Sequence, residues 1–413
     1  ATDSGSGITS GKPVILETAG TVTEIVGVTQ IVGSDAEFES GAPGSVAAAY
    51  DSTLGKIVVA YYDGGNSFHG TVAIGTVSGT TISFGTPVVF EAAAIDQVSI
   101  AYDVNTDRTV ISYQDQGNSS YGTSIVGTVS GTSISFGTAV VFNSSSTTHT
   151  ATTYDANAQK VLVSYKPSGN YGKSRVGTVT GGVTNTISFG TEAEFNPANT
   201  ASIKSVYDSN AQKVVIGYGN SGSGGAGTAI VATISGTTVS FGTALEFISG
   251  YINYLNLVFD SVNNKIAIIF ESTDSTNYGH GIVGTVSGTS ISFGTGVVFN
   301  AATTTMVTAA YSVAAEGILI FFRDTPYNGT TNTATISGTD ISFGTETIIV
   351  SGSIEHNSSV YDVTNGKVVL AYTNSTSNTG VGNVVQVGST NLTTSNFLGI
   401  ADEAISASAS GVI

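Results

Sequence analysis

Val98-Ser-Ile-Ala-Tyr102-Asp103-Val-Asn105-Thr-Asp107-Arg108-Thr109-Val-Ile-Ser-Tyr113 reads as two short β runs joined by a tight reversal. Val, Ile, Thr and Tyr suit a pleated, half-buried backbone, and Asp-x-Asn suits a turn. Two more runs follow, Thr123 to Val129 and Ser133 to Phe142, separated by Ser130-Gly131-Thr132. The pair Tyr102-Asp103 has counterparts at Tyr50-Asp51, Tyr154-Asp155, Tyr207-Asp208, Phe259-Asp260, Tyr311-Ser312 and Tyr361-Asp362, spaced 52, 52, 53, 52, 52 and 50 residues apart. Ser-Phe-Gly-Thr ends at Thr86, Thr138, Thr191, Thr243, Thr295 and Thr345, so it occurs six times against seven of the first landmark. All-β units of about fifty residues with four strands each match the blade of a propeller better than any other repeat class.

The missing seventh Ser-Phe-Gly-Thr predicts how the repeat ends. Val32-Gly33-Ser34-Asp35-Ala36-Glu37-Phe38 aligns position by position with Phe84-Gly85-Thr86-Pro87-Val88-Val89-Phe90, so the N-terminal segment supplies a fourth strand without the preceding three. The unit begun at Tyr361 has three strands and lacks the fourth. The expected fold is therefore a seven-bladed β-propeller of four-stranded antiparallel blades, closed by residues 29–40 completing the last blade, which leaves no exposed sheet edge. The propeller spans 25–390, with blade cores starting near 46, 98, 150, 203, 255, 307 and 357, an N-terminal extension at 1–24 and a C-terminal one at 391–413. Small residues such as Val46-Ala47-Ala48-Ala49 place the first strand at the central channel.

Composition narrows the function. Of 413 residues, 29 are acidic and 12 basic, giving a net charge of -17 that repels nucleic-acid phosphates and anionic lipid. Apolar runs such as Lys265 to Phe270 are far shorter than the roughly twenty residues of a spanning helix, so neither nucleic acid nor membrane insertion is expected. The absence of Cys excludes disulfides and thiolate metal sites. No cofactor is implied.

Comparison among the repeats separates scaffold from candidate site. One face is nearly invariant: Asp51/Lys56, Asp103/Arg108, Asp155/Lys160, Asp208/Lys213, Asp260/Lys265 and Asp362/Lys367 recur, and both partners vanish together at Ser312 and Gly317. Joint loss predicts a pair interacting across the hairpin. The opposite face varies in length and composition, as binding surfaces on a constant scaffold do. Its candidate ligand-binding residues are Asp63, Phe68, His69, Asp115, Asn118, Tyr121, Tyr171, Tyr278, His280, Asp324 and Tyr327. Aromatic rings flanked by amides and carboxylates suit sugars, since rings stack on apolar pyranose faces while the polar groups bond hydroxyls.

Sharper chemistry does not assemble. Asp103-x-Asn105-x-Asp107 starts like a calcium loop, but Arg108 stands where Gly is required and Gln114 where the bidentate Glu belongs. His69, His149, His280 and His356 lack ligand spacing and read as solvated loop residues. Three arginines, Arg108, Arg175 and Arg323, are too few for a sialidase cluster. Asp63, Asp115, Asp274 and Asp324 share the variable face and leave glycoside hydrolysis as a third reading. Lys166, Lys173 and Arg175 make a small basic spot that reads as local charge balance.

The run Ile125-Val-Gly-Thr-Val-Ser-Gly-Thr-Ser-Ile-Ser-Phe-Gly-Thr138, followed by Ala-Val-Val-Phe142, resembles the repeat of large structural proteins of marine tailed bacteriophages, cyanophages included. Gly11 to Glu24 and Asn391 to Ala404 are similar to segments bracketing such repeats in tail or fibre proteins. The resemblance carries no defined catalytic or binding residues. It implies a non-enzymatic virion component, multimeric in the particle, whose termini join other virion proteins and whose outward face meets a host surface or glycan. A spacer or decoration protein of the virion is the alternative. Similar sequences usually continue past a segment such as Asp402 to Ile413, which implies truncation, processing or disorder.

Overall fold

The computed structural model describes residues 30–387 apart from 183 and 274–276, together with the backbone of the terminal strands Thr2–Asp3, Pro13–Thr18, Thr21–Glu24 and Phe397–Ile400. The chain divides into two compact units, one made of Ala1–Gln30 with Gly388–Ile413 and the other of Ile31–Val387. In the first, Pro13–Thr18 lies between Thr21–Glu24 and Phe397–Ile400, so the two ends of the chain share a sheet.

The second unit is all-β, and its helical content among the described residues is single 3₁₀ turns such as Gly64–Asn66. Each repeat is an antiparallel sheet whose strands pair in chain order. In the first repeat, Gly44–Asp51 pairs with Lys56–Asp63, which pairs with His69–Ser78. The outer strand is broken at Gly85-Thr86: Thr81–Phe84 and the start of Val88–Asp103 both pair with His69–Ser78. Val88–Asp103 then runs on to become the first strand of the second repeat. This repeated four-strand arrangement fits a propeller. Ile31–Val32 and Ala36–Glu39 pair with Thr379–Gln386 of the seventh repeat, with Val32 opposite Val385 and Glu39 opposite Gly380.

Each second strand is buried on both sides, which is why it reads as a continuous apolar run. Ile57, Val59 and Tyr61 pack with Val369, Ala371 and Val384 of the seventh repeat. Val58 and Ala60 face Ile111 and Tyr113 of the second. Between repeats, the Phe after the outer-strand break packs against the Phe of the Ser-Phe-Gly motif that follows: Phe90 with Phe136 at 5.8 Å, Phe142 with Phe189 at 5.7 Å, Phe38 with Phe84 at 5.5 Å.

The Asp and Lys of the invariant face do not form the expected pair. Asp51 is buried, and its Oδ1 accepts from the backbone N–H of Thr53 and Leu54 at 3.0 Å each. Asp103, Asp155 and Asp208 repeat this, each serving its own turn. Lys56 donates elsewhere, to Thr76 Oγ1 at 2.7 Å, and Arg108 to Asn185 Oδ1 at 2.7 Å. The acid points into the turn because two backbone N–H groups converge on it there, whereas an ion pair at the surface is worth little. At Ser312 a hydroxyl takes over, accepting from Ala315 N. The neighbouring Tyr has the longer reach. Tyr102 Oη bonds Thr53 Oγ1 of the preceding repeat, and Tyr207 and Tyr361 accept from Asn157 N and Ala314 N. Tyr50 does the same with Thr364 N, 314 positions away. Tyr-Asp is thus one residue for its own turn and one for the neighbour's.

The Gly of Ser-Phe-Gly-Thr is fixed by close approach. A Cβ on Gly85 would lie 2.0 Å from the Thr132 carbonyl oxygen of the next repeat, one on Gly137 1.8 Å from that of Asn185, and one on Gly33 1.7 Å from that of Thr80. Gly137→Ala should cost about 2 kcal/mol by overpacking, while Gly169→Ala, with nothing within 4 Å, should be near neutral. Urea midpoints compare the two; equal midpoints would show that the repeats do not meet at this glycine.

Candidate binding site

All seven first strands carry a bulge at the same place, where the register with the second strand shifts, as between Asp96 and Ser99 or Glu355 and Ser358. The bulged residues are Ser45, Gln97, His149, Ser202, Tyr254, Met306 and His356, all with φ between 44 and 55. Seven non-glycine residues in the left-handed region are strained, and a bulge of this kind re-aims its side chain. Together they line one central cavity of about 230 Å³. Successive bulges are bonded, with Ser45 Oγ accepting from Val98 N at 2.9 Å and Gln97 Oε1 from His149 N at 2.8 Å.

The bulge end of each first strand lies beside the variable loops, because the second strand runs from the invariant turn to those loops. Next to the cavity, between the first and seventh repeats, Phe68, Tyr62, Glu355, His356, Ser375 and Asn378 border a cleft of about 320 Å³. Phe68 is 51% exposed and meets Tyr62 edge-on at 5.5 Å. Tyr62 meets His356 edge-on at 5.9 Å. Glu355 pairs with Arg323 of the sixth repeat at 3.6 Å, and the buried Ser375 Oγ has no partner among the described residues. Burial pushes the His356 imidazole down, opposed by Glu355 and Asp96. The cleft thus offers an exposed ring, a carboxylate paired to Arg323 and an uncommitted hydroxyl.

The residues expected from the loops fall in several places. Asp63, Phe68 and His69 stand together in the first repeat, with His69 opposite Asp63 in register. Asp63 caps the turn after it, accepting from Gly65 N at 2.9 Å, and burial raises its carboxyl along with the nearby Glu39. Asp115 does likewise for Asn118 N at 3.1 Å, with Tyr121 opposite it. Asp324 accepts from Asn328 N at 3.0 Å and Thr330 Oγ1 at 2.8 Å. Tyr327 is 62% exposed, with the Arg323 guanidinium 5.6 Å above its ring, and Tyr171 is exposed in the third repeat. Tyr278 begins a strand of the fifth repeat. Asp274 lies outside the described residues.

Three of the histidines are not solvated loop residues. His280 sits within Tyr278–Ser287, stacked 5.7 Å from Phe270 with its Nε2 buried and lacking a partner among the described residues. His149 and His356 are bulge residues at the cavity. Tyr62, Glu355 and His356 lie on first and second strands, outside the loops whose length and composition vary. The signal was present: the bulge position carries five residue types in seven repeats, followed in five of them by Val, Ile or Leu.

No protein-family model matches the chain, and no curated protein does. Among solved structures, BP39L lectin from Burkholderia pseudomallei is similar over 84% of this chain and 97% of its own, at TM-score 0.60 and 10% identity, which shows a shared fold. A mutant of AofleA from Arthrobotrys oligospora matches over 79% of this chain and 93% of its own at TM-score 0.49 and 10% identity. A mutant of Aleuria aurantia lectin AAL, in complex with Fucalpha1-6GlcNAc, matches over 75% and 97% at TM-score 0.47 and 13% identity.

Burial, then Lys166 and Lys204, push His149 down to about 4 from an ordinary 6.5. The folded protein therefore resists a proton that the unfolded chain accepts. This contribution is complete above about 6.5 and is lost as pH falls toward 4. In denaturant titrations, the stability of wild type minus that of His149→Gln should decline across this window. A pH-independent difference would mean His149 titrates alike in both states.

Proposed function

We propose that the chain is a closed seven-bladed β-propeller that binds a glycan at the cleft between its first and seventh blades and acts, without catalysis, as a surface or tail-fibre module of a virion. The observation that carries the binding reading is the exposed Phe68 ring set edge-on to Tyr62 in a cleft of about 320 Å³ that Glu355 and Asn378 also line. The fold shared with a lectin supports it. Ring closure is supported by the Tyr50 bond to Thr364 and by the pairing of residues 31–39 with 379–386. The non-enzymatic reading is supported by the candidate carboxylates, since Asp63, Asp115 and Asp324 each serve their own turn in different repeats. The virion setting rests on the repeat resemblance of residues 125–142 and its flanks. In a particle, many copies would raise a weak single-site affinity by avidity.

A multimerised chain should retain a subset of spots on a glycan array. Phe68→Ala and Tyr62→Ala should each weaken that binding roughly tenfold, on the order of 1.4 kcal/mol, with unchanged melting. Binding that survives both substitutions would remove the cleft from the reading, and an array blank to the folded multimer would favour a spacer role. Mass spectrometry of intact particles tests the virion setting directly.

A further inference from the structure

Below the bulge cavity lies a second cavity of about 210 Å³, and the two share wall residues, Lys204 among them. Lys204 belongs to the first strand of the fourth repeat. Register places it level with Ala47, Ser99, Ala151, Asn256, Thr308 and Ser358 in the other six. One ammonium therefore stands in a ring of otherwise small or neutral residues. Its side chain is exposed to the cavity, and the protein walls around it push the amine down. It makes no hydrogen bond or ion pair with any described residue.

The wall around it is unusual for this chain. Acids outnumber bases 29 to 12 overall, yet neither cavity is lined by a carboxylate. Asp96 and Glu355 stand one residue outside the bulge, at the mouth, where Glu355 is engaged by Arg323. A cation facing a narrow cavity without a countercharge attracts whatever anion can enter it. Donors are at hand. Ser358 Oγ accepts from Ala48 N at 3.0 Å, which leaves its own O–H to give, and the Asn256 amide lines the same cavity. Burial pushes both His149 and His356 down, and Lys204 is the only Lys or Arg among the described residues of either wall.

We infer that the central cavity is a binding site for a small monovalent anion, held by the Lys204 ammonium with Asn256 and Ser358 donating beside it. A charge of -1 matches the single lysine, and the acidic rim at Asp96 and Glu355 disfavours polyanions. This site is separate from the cleft at Phe68 and does not depend on glycan binding there.

The test titrates the whole chain at pH 7 with sodium chloride, sodium acetate or sodium glucuronate, holding ionic strength with a bulky sulfonate salt. Melting temperature should rise with the logarithm of anion concentration, as ligand binding to the folded state requires, and calorimetry should saturate. The three probes separate a bare ion, a free carboxylate and a carboxylate borne on a sugar. Lys204→Gln should lose at least tenfold in affinity and be no less stable than wild type without anion, Lys204→Arg should keep the response, and Asn256→Ala should weaken it roughly threefold. If Lys204→Gln fails to fold, Asn256→Ala and Ser358→Ala carry the comparison. An equal response in wild type and variants, or no saturation with any probe at concentrations on the order of 100 mM, overturns the proposal and leaves Lys204 as a neutral amine.

Discussion

Everything in the second unit depends on how closely one repeat's outer strand approaches the next repeat's turn. At Gly33, Gly85, Gly137, Gly190, Gly242 and Gly294 the neighbouring carbonyl oxygen comes to 2.0 Å or less from where a Cβ would be. That contact sets the spacing between sheets. The spacing in turn lets the second strands be buried on both faces and the Phe residues interlock at 5.5 to 5.9 Å. Tyr and Asp complete the joint on the invariant face, one reaching back to the preceding turn and one satisfying its own. Packing and buried hydrogen bonds, rather than surface charge, hold the repeats in place.

The fold was largely legible because its determinants are local and repeated sevenfold. Strand runs, turn chemistry and the displaced fourth strand at Val32 to Phe38 are all visible in spacing alone, and the pairing with Thr379–Gln386 falls where that displacement places it. The invariant turns were read at the right place with the wrong partner. Covariation of Asp with Lys looks the same whether the two touch or each answers separately to the turn, and only burial of the acid distinguishes these.

The site was less legible. Loop composition pointed to the face that carries Phe68, but carboxylates there are consumed by turns, as Asp63, Asp115 and Asp324 show. The groups left for a ligand come from positions whose backbone is unusual: His356 and Tyr254 at bulges, and Glu355 just before one. Bulges have no signature in residue spacing, since a single extra residue hides within strands that otherwise alternate. Variation at one strand position across repeats is the sign to look for.

The last repeat is assembled from two distant parts of the chain. Asn383 bonds Asp35 across 348 positions, and Thr373 bonds the Pro43 carbonyl across 330. During synthesis, residues 31–39 emerge first and wait for a partner that is made only after the six intervening repeats. The entropic cost of joining such remote segments rises only slowly with separation, so the delay is chiefly one of time. Until Gln386 has been made, the nascent protein exposes unpaired edges at both its first and its latest strands, and a ribosome product cut short anywhere in the series keeps them. Pairing of residues 31–39 with 379–386 is what covers these edges, so a copy that lacks the later segment differs from one that has it in the strand edge it presents.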